Sequence, residues 1–324
     1  MAQPTNTFDK YDAVGVREDL DDKITNVNPE ETPVYSSIGR KKIANTFFEW
    51  QRDSFASPDK DNALIDGDTF SAAALTATER IGNHAQIFHK QLTVSRRADI
   101  VDKAGRESET RYQIAKGFVE MKRHVEASIC SNNPAVAGNS TTASKSGGLG
   151  VFIYTAASHG AGGSTASHTS GAPTTAPTAG TNRTWTEQML KDVLKTAVTN
   201  SGAVPRMMVV TPSHKQLFSS FSGIAANRFN LSARKGQGVI VGGADVYLSD
   251  FGEISVVPNY VMATSSPNNV WLINTDYVKW GTLDGFRSEK QGRNADGTSY
   301  MLTYDGGLIV QNEKACAKVA DLTA

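Results

Sequence analysis

The segment from Asn26 to Tyr35 restricts the fold of this chain more than any other stretch of the sequence. Pro29 and Pro33 each hold φ at about −65° and push the preceding residue toward extended geometry, so the segment can neither continue a helix nor fold back on itself. An extended arm buries little of its own surface, yet apolar and aromatic residues crowd its end and the stretch that follows: Val34, Tyr35, Ile38, Ile43, Phe47, Phe48 and Trp50. These side chains need a partner surface, either the chain's own domain or a neighbouring copy.

Four motifs follow one another in the N-terminal part of the chain. An acidic-leucine segment at 17–24 precedes Pro-x-x-Thr-Pro at 29–33, then Gly39 with basic residues after it, then an aromatic Glu-Trp strand at 47–50 with Asp53 three residues beyond. In this order the motifs resemble the N-terminal arm of tailed-bacteriophage major capsid proteins. The single motifs are degenerate, and the specificity of the resemblance lies in their order, which continues over nearly the whole chain.

The resemblance implies a mixed α+β fold of the Hong-Kong-97-like capsid type. Its parts would be an N-terminal arm over residues 1–42, an extended β-hairpin loop over 43–95, a peripheral domain with a spine helix over 96–133 and 271–324, and an axial domain over 134–270. Within the axial domain, residues 158–183 are rich in Gly, Ser, Thr, Ala and Pro. They have too little apolar area to offset ordering entropy, so we expect a flexible, exposed insertion there.

The hairpin is predicted from two stretches of strand character, residues 43–55 and 84–95, with turn-forming and acidic residues between them. A two-stranded hairpin is marginal alone in water, so it should lie on another surface. In the resembled family this loop reaches over the neighbouring subunit. We therefore expect contacts between subunits from Tyr35, Ile38, Phe47, Phe48, Trp50, Asp66 and Asp68. On this interpretation, deletion of residues 1–40 should leave the helices folded and prevent closure of the shell.

The strongest helical pattern runs from about Gly105 to Asn132. Apolar residues recur there at spacings of three and four and predict one core-facing stripe, formed by Ile114, Phe118, Met121, Val125 and Ile129. The segment follows the hairpin, as the spine helix does in the resembled family. Further along the chain we expect a helix from Trp185, a buried strand at 207–210, a helix opened by Pro212, and strands at 239–248, 253–257, 270–274, 300–304 and 307–317.

Composition and motifs argue against several classes of function. With 33 basic and 33 acidic residues the net charge is zero, which argues against a dedicated nucleic-acid binder but not against non-specific contact with packaged DNA. Cys130 and Cys316 have no CxxC spacing, so neither a disulfide framework nor a zinc knuckle is indicated. We find no phosphate-binding loop, metal-ligand set or nucleophile motif and expect no cofactor, metal or catalytic residue. The sequence has no signal segment and no long apolar run, so no membrane contact is expected.

The resemblance implies the function of a major head protein, not of an enzyme. Many copies would join as pentamers and hexamers into an icosahedral shell around phage DNA, assembled in the host cytoplasm and present in the virion capsid. The partners it implies are the chain itself, the portal, and scaffolding or decoration proteins. Two alternatives stay open. An encapsulin-like compartment would enclose cargo protein in place of DNA, and an enzyme with a dispersed active site would behave as a monomer or dimer that resists assembly.

Overall fold

The computed structural model describes residues 24–69, 74–166, 168, 170–221, 245–292 and 296–323. Several expected features therefore lie outside the described residues, wholly or in part. They are the arm up to residue 23 with nearly all of its acidic-leucine segment, residues 70–73 of the hairpin loop, residues 167 and 169 of the expected insertion, and residues 239–244 of a predicted strand.

The described helices are short, apart from two longer ones: α1 (Pro33–Ser37), α2 (Arg96–Ile100), α3 (Glu109–Ile129), α4 (Leu149–Phe152), α5 (Glu187–Ser201), α6 (Pro212–Ser219), α7 (Met262–Ser265) and a 3-10 turn (Glu313–Ala315). None of these helices is long and apolar enough to cross a membrane. The described strands are β1 (Gly39–Lys42), β2 (Phe47–Arg52), β3 (Glu79–His84), β4 (Gln86–Ser95), β5 (Ala157–Ser158), β6 (Met207–Val210), β7 (Val246–Ser249), β8 (Gly252–Pro258), β9 (Val270–Ile273), β10 (Val278–Lys290), β11 (Gly297–Val310) and β12 (Ala317–Val319).

A four-stranded sheet carries the long helix. Its strand order is β1-β10-β11-β4, with β1 parallel to β10 and the other pairs antiparallel. Helix α3 packs against this sheet through β4 and β11. At Gly117 a Cβ atom would lie 2.5 Å from Leu302 Cδ1, so a larger residue there would force the Leu302 side chain to move.

A six-stranded sheet forms the second layer of strands, in the order β5-β12-β9-β6-β8-β7, and α5 and α6 contact it. Strands β6 and β9 are buried along their whole length, as expected for apolar runs covered on both faces. The division into domains stays a proposal, and this sheet amends it. Because β9 and β12 pair with each other inside the sheet, they belong with the axial strands, although residues 271–324 were assigned to the peripheral domain.

The two predicted strands of the hairpin do not pair with each other. Strand β2 pairs with β3, with Trp50 opposite Ile81, whereas β4 pairs with β11. The prediction that residues 43–55 and 84–95 form the two legs was therefore wrong for the second leg. Both stretches do form strands, but the chain turns at Ala85, whose N–H donates to the Thr46 carbonyl oxygen at 2.7 Å, and β4 then enters the four-stranded sheet.

The arm differs from the predicted continuous extension at its C-terminal end. Residues 24–32 form neither helix nor strand, but Pro33 begins α1. Proline suits the first position of a helix because its fixed φ is already helical and its missing N–H would have no partner inside the helix. The arm therefore ends in a helical turn and does not remain extended up to Tyr35.

The segment 158–183 is built into the fold over most of its described length. Backbone bridges join Ser164 to Thr178, Gly171 to Ile81, and Arg183 to Leu322. Ala166 is buried. This departs from the expected exposed insertion, because backbone hydrogen bonds to other parts of the chain order a segment that has little apolar area of its own.

Helix α3 lies inside the range predicted for the spine helix and begins after Ser108, whose hydroxyl accepts a hydrogen bond from Arg111 N at 3.4 Å. Met121, Val125 and Ile129 of the predicted stripe are 0% exposed.

The N-terminal end of the stripe is less buried. Ile114 and Phe118 are only partly buried, though both pack against the same core. The Phe118 ring meets Phe286 edge-on, with 5.9 Å between ring centroids. Burial therefore increases along the helix from its first turns to its last.

This gradient predicts the order of two stability losses. Ile129→Ala should lower the free energy of unfolding by about 2–5 kcal/mol, because it opens a cavity in a fully enclosed site. Phe118→Ala removes more atoms, but water already reaches the ring, so its loss should be smaller. Urea unfolding followed by circular dichroism would measure both. A larger loss at Phe118 would contradict the gradient.

Candidate assembly surfaces

One buried carboxylate fixes the arm on the body of the subunit. Glu126 of α3 is fully buried, and its side chain accepts hydrogen bonds from Val34 N at 2.9 Å and from Tyr35 N at 2.7 Å. Asn259, directly after β8, donates its Nδ2–H to the same carboxylate at 2.6 Å. The first N–H groups of a helix have no partner inside it, so Glu126 supplies the acceptors that α1 lacks.

The Glu126 carboxyl lies in a poorly solvating environment. Burial raises its pKa, and the hydrogen bonds from Tyr35, Val34 and Asn259 oppose that rise. The raised pKa means that the folded protein holds the proton on Glu126 more strongly than an exposed glutamate does. The site therefore links the stability of the folded subunit to pH.

An aromatic cluster holds the other side of α1. Tyr35 and Tyr304 share a hydrogen bond between their hydroxyl groups at 2.9 Å, and the Tyr304 hydroxyl also lies 3.2 Å from the Thr282 hydroxyl. The Arg40 guanidinium lies over the Tyr35 ring, 4.6 Å from its centroid. Burial raises the pKa of Tyr35, so its hydroxyl stays protonated and able to donate.

Most of the side chains expected at subunit contacts lie inside the chain's own core. The exposed fractions of Tyr35, Ile38, Phe48 and Trp50 are 2%, 4%, 8% and 8%. They have little surface left for a second copy, so we withdraw the proposal of intersubunit contact for these four. The expectation that deletion of residues 1–40 leaves the subunit folded is withdrawn for the same reason, because that deletion removes part of the core.

Phe47, Asp66 and Asp68 keep accessible surface. Phe47 is half-buried, and both aspartates are exposed. The two aspartates belong to the loop between β2 and β3, which we call the extended loop and define as residues 53–78. Every described residue of this loop is exposed.

The extended loop is apolar and acidic at once. Phe55, Ile65 and Leu75 are exposed over most or all of their side chains. The loop contains five aspartates and one lysine: Asp53, Asp59, Asp61, Asp66, Asp68 and Lys60. A folded monomer gains nothing from showing large apolar side chains to water, so this loop is a candidate contact surface.

A second candidate surface lies on α2 and the N-terminal half of α3. Ile100 and Val101 are both more than half exposed. Cationic side chains of the same two helices are also exposed, among them Arg97, Arg111 and Lys116. This surface thus offers apolar contact together with positive charge.

A third candidate is the edge of the six-stranded sheet at β7. Among the described strands β7 is the last of that sheet, and Leu248 on it is 80% exposed. A groove of about 540 Å³ separates β7 from α5, and Lys191 and Phe251 line it. An exposed edge strand presents unpaired N–H and C=O groups, which can pair with another chain.

The described residues give no support to metal or thiol chemistry. They contain no group of three or more His, Cys, Asp or Glu side chains that could hold a metal ion. Cys130 and Cys316 are free and buried. Burial raises the pKa of the Cys316 thiol to about 12 and that of Cys130 well above its ordinary value, so both stay in the poorly nucleophilic thiol form.

The Glu126 contact predicts a loss of stability on truncation. Glu126→Ala should lower the free energy of unfolding by at least about 2 kcal/mol, because each buried donor left without an acceptor costs about 1–3 kcal/mol. Glu107→Ala, two residues before the start of α3, is the control, since the Glu107 side chain is 94% exposed and its ion pair with Arg111 is long, at 3.9 Å. The control should change stability by less than about 0.5 kcal/mol. Equal losses, measured by urea unfolding, would refute the proposed role of Glu126.

The raised pKa of Glu126 also predicts a pH dependence. In the folded state this pKa lies above the ordinary value of 4.5, so the folded chain binds the proton more tightly than the unfolded chain. The contribution of Glu126 to stability is therefore fully present below 4.5 and is lost as pH rises through the folded pKa. Glu126→Gln does not titrate. The difference in unfolding free energy, wild type minus variant, should thus fall as pH rises, and a rising difference would show that the sign is wrong.

Comparison with known proteins identifies the family of the chain. The family model of the SU10 major capsid protein matches residues 3–323. The major capsid protein of Escherichia phage Phieco32 is 34% identical over 131 residues, which are 40% of this chain and 37% of that relative. The chain therefore matches well under half of the length of this curated relative.

Solved structures of phage origin share the fold. The structure is similar to the cyanophage A-1(L) capsid, with a TM-score of 0.67 at 12% identity over 95% of this chain and 98% of that one. A chain of Gordonia phage Cozz gives a TM-score of 0.63 at 11% identity, over 99% and 97% of the two chains. The SrpI encapsulin of Synechococcus elongatus gives a lower TM-score of 0.52 at 12% identity, over 93% and 92%.

Identities this low establish the fold alone, which is the Hong-Kong-97-like mixed α and β capsid fold that the sequence led us to expect. The family model, in contrast, covers nearly the whole chain. This protein belongs to the SU10 major capsid protein family, whose members form the shells of phage capsids.

Proposed function

We propose that copies of this chain join as pentamers and hexamers into a closed icosahedral shell that encloses phage DNA. The observation that carries the proposal is the extended loop, which is exposed throughout its described length and has apolar side chains such as Phe55 and Leu75 at its surface. In a capsid a neighbouring copy can cover these side chains and remove them from water, which a monomer cannot do.

The extended loop has both apolar and charged side chains that a partner surface could cover. Burial of its apolar side chains would contribute about 25 cal/mol per Å² before the costs of association are subtracted. Its aspartates would select a positively charged partner surface and exclude a negative one. Phe47, Asp66 and Asp68 stay our proposed contact residues on this side.

The surface of α2 and α3 has the complementary chemistry. It exposes Ile100 and Val101, and the cationic Arg97, Arg111 and Lys116 lie on the same two helices. We therefore propose that the extended loop of one copy lies on these helices of its neighbour. The contact would weaken as salt is added, because opposite charges at a surface are screened over about 8–10 Å at ordinary ionic strength.

The same proposal includes further partners. A phage shell needs a portal, and scaffolding or decoration proteins would act during or after assembly, which we place in the host cytoplasm. Packaged DNA would be contacted without sequence specificity. Arg40, Lys41 and Lys42 on the edge strand β1 are exposed and could neutralise phosphates, although the zero net charge of the chain keeps such contact local.

The likeness to an encapsulin keeps a compartment for cargo protein as the second candidate. Cryo-electron microscopy of purified particles distinguishes the two, since a phage shell encloses DNA and an encapsulin encloses protein. Family membership supports a structural role, and the proposal requires no catalytic step.

Replacement of the loop tip tests the proposal. A short Gly-Ser turn in place of Pro58–Asp68 should leave the subunit folded, because every residue removed is exposed, but shells should fail to close. Circular dichroism would report the fold and negative-stain microscopy the particles. The control replaces the exposed turn Asn139–Thr142 by Gly-Ser and should assemble normally. Normal closed particles from the loop variant would refute the assignment of this loop to contacts between copies.

A further inference from the structure

The ribbon of β2 and β3 forms the base from which the extended loop leaves the subunit. A two-stranded ribbon is too weak to keep its direction without support. One support comes from the four-stranded sheet. Asn83 of β3 is fully buried, and its Nδ2 donates to the Leu308 carbonyl oxygen of β11 at 2.8 Å while its Oδ1 accepts from Gly147 N at 2.9 Å.

A second support comes from the segment that the sequence suggested would be an exposed insertion. Gly171 lies beside β3 and forms an isolated parallel bridge with Ile81. Its N–H donates to the Arg80 carbonyl oxygen at 2.7 Å, and its carbonyl oxygen accepts from Gly82 N at 2.9 Å. Gly171 has a φ of +73°, which other residues rarely adopt. The glycine is therefore required by the backbone conformation that makes this pairing.

A third support lies where β2 ends. Arg52, the last residue of β2, donates from Nε to Glu79 at 2.6 Å, which joins the two strands of the ribbon. The Nη2 atom of Arg52 donates to the Tyr154 hydroxyl at 2.7 Å. The ring of His168 lies against Tyr154, with 5.4 Å between the centroids. The ion pair of the ribbon is thus attached to the residues that follow α4.

We propose that Tyr154, His168 and Gly171 are positioning residues that set the direction in which the extended loop leaves the subunit. The proposal rests on the proposed function of that loop as a contact between copies. Hydrogen bonds within one segment would only stabilise its local fold. The bonds of Tyr154 and Gly171, in contrast, reach both strands of the ribbon, Arg52 of β2 and residues 80 and 82 of β3.

Leverage explains why the direction of the ribbon matters. Half of the 53–78 loop is 13 residues, which reach up to about 40 Å when extended. A tilt of about 10° at the base then moves the tip by about 7 Å, whereas side chains in contact lie within about 4.5 Å. The tip of the extended loop can therefore contact the correct site on a neighbouring copy only if the direction of the ribbon is fixed.

The test uses two matched glycines of the same segment. Gly171 and Gly162 both have positive φ, +73° and +79°, and both have open space where a Cβ would lie. Valine strongly disfavours this conformation. Gly171→Val should therefore break the pairing with β3, whereas Gly162→Val adds the same backbone strain at a site that none of the described hydrogen bonds joins to the ribbon.

The first readout is hydrogen exchange of the unassembled full-length chain, separated from particles by size exclusion. The peptide that covers residues 79–84 should exchange at least about 10-fold faster in Gly171→Val and at the wild-type rate in Gly162→Val. The second readout is the distance distribution between spin labels at Ser57→Cys and Thr199→Cys, both exposed positions. That distribution should broaden in Gly171→Val alone, which a loss of global stability without a change of direction would not produce.

Three results would decide against the proposal. The first is a Gly171→Val variant whose hydrogen exchange and label distances are those of the wild type, and the second is a Gly162→Val variant with faster exchange and a broadened distance distribution. The third is a variant that has a broadened distance distribution and still forms normal closed shells. If Gly171→Val does not fold, Tyr154→Phe replaces it, since this variant keeps the ring and removes only the acceptor for Arg52. The exchange and label measurements need no assembly, so they can fail or succeed independently of the loop replacement that tests the proposed function.

Discussion

The position of the arm depends on the buried carboxylate of Glu126. Glu126 joins the arm, the long helix and the turn after β8, parts of the chain separated by 92 and 133 residues. A carboxylate without water costs much free energy unless its oxygens are hydrogen-bonded, so the positions of α1 and of Asn259 follow from its burial. The aromatic cluster around Tyr35 requires α1 in this position, because Tyr35 belongs to α1. What the sequence presents as a loose arm is therefore part of the core of the subunit.

Local patterns allowed α3, α5, α6 and many of the strands to be predicted, whereas the short helices α1, α2, α4 and α7 were missed. The apolar stripe that ends at Ile129 and Pro212 at the start of α6 act within a few residues, and both helices lie where their patterns placed them. Helix α5 was expected from Trp185 and begins two residues later, after its cap Thr186. The family resemblance correctly implied the fold, because it depends on the order of such elements. Pairing between distant strands has no local pattern, which is why β4 was expected beside β2 when it pairs with β11.

The parts that sequence reasoning missed are polar. Gly171 pairs with β3 through two backbone hydrogen bonds, and composition says nothing about where a backbone N–H finds its acceptor. Lys318 is 1% exposed, and its Nζ donates to the Gly150 carbonyl oxygen at 2.7 Å. Burial lowers its pKa to about 8, and no pattern in the sequence marks this lysine as different from an exposed one. The set of contact residues was predicted too large, because aromatic residues near the arm were expected to lie between copies, whereas they fill the core.

Contacts that fold the subunit and surfaces that could join copies are thus largely separate. The core holds the arm through Glu126 and the ribbon through Asn83, whereas the described part of the extended loop contributes no buried side chain. A chain built this way can fold as a monomer and still keep apolar area for association. The two sets of contacts meet at the ribbon of β2 and β3, where Trp50 packs on Phe152 at 5.8 Å between ring centroids and the exposed loop begins three residues later. A change in the packing of the core can therefore reach the extended loop through this ribbon.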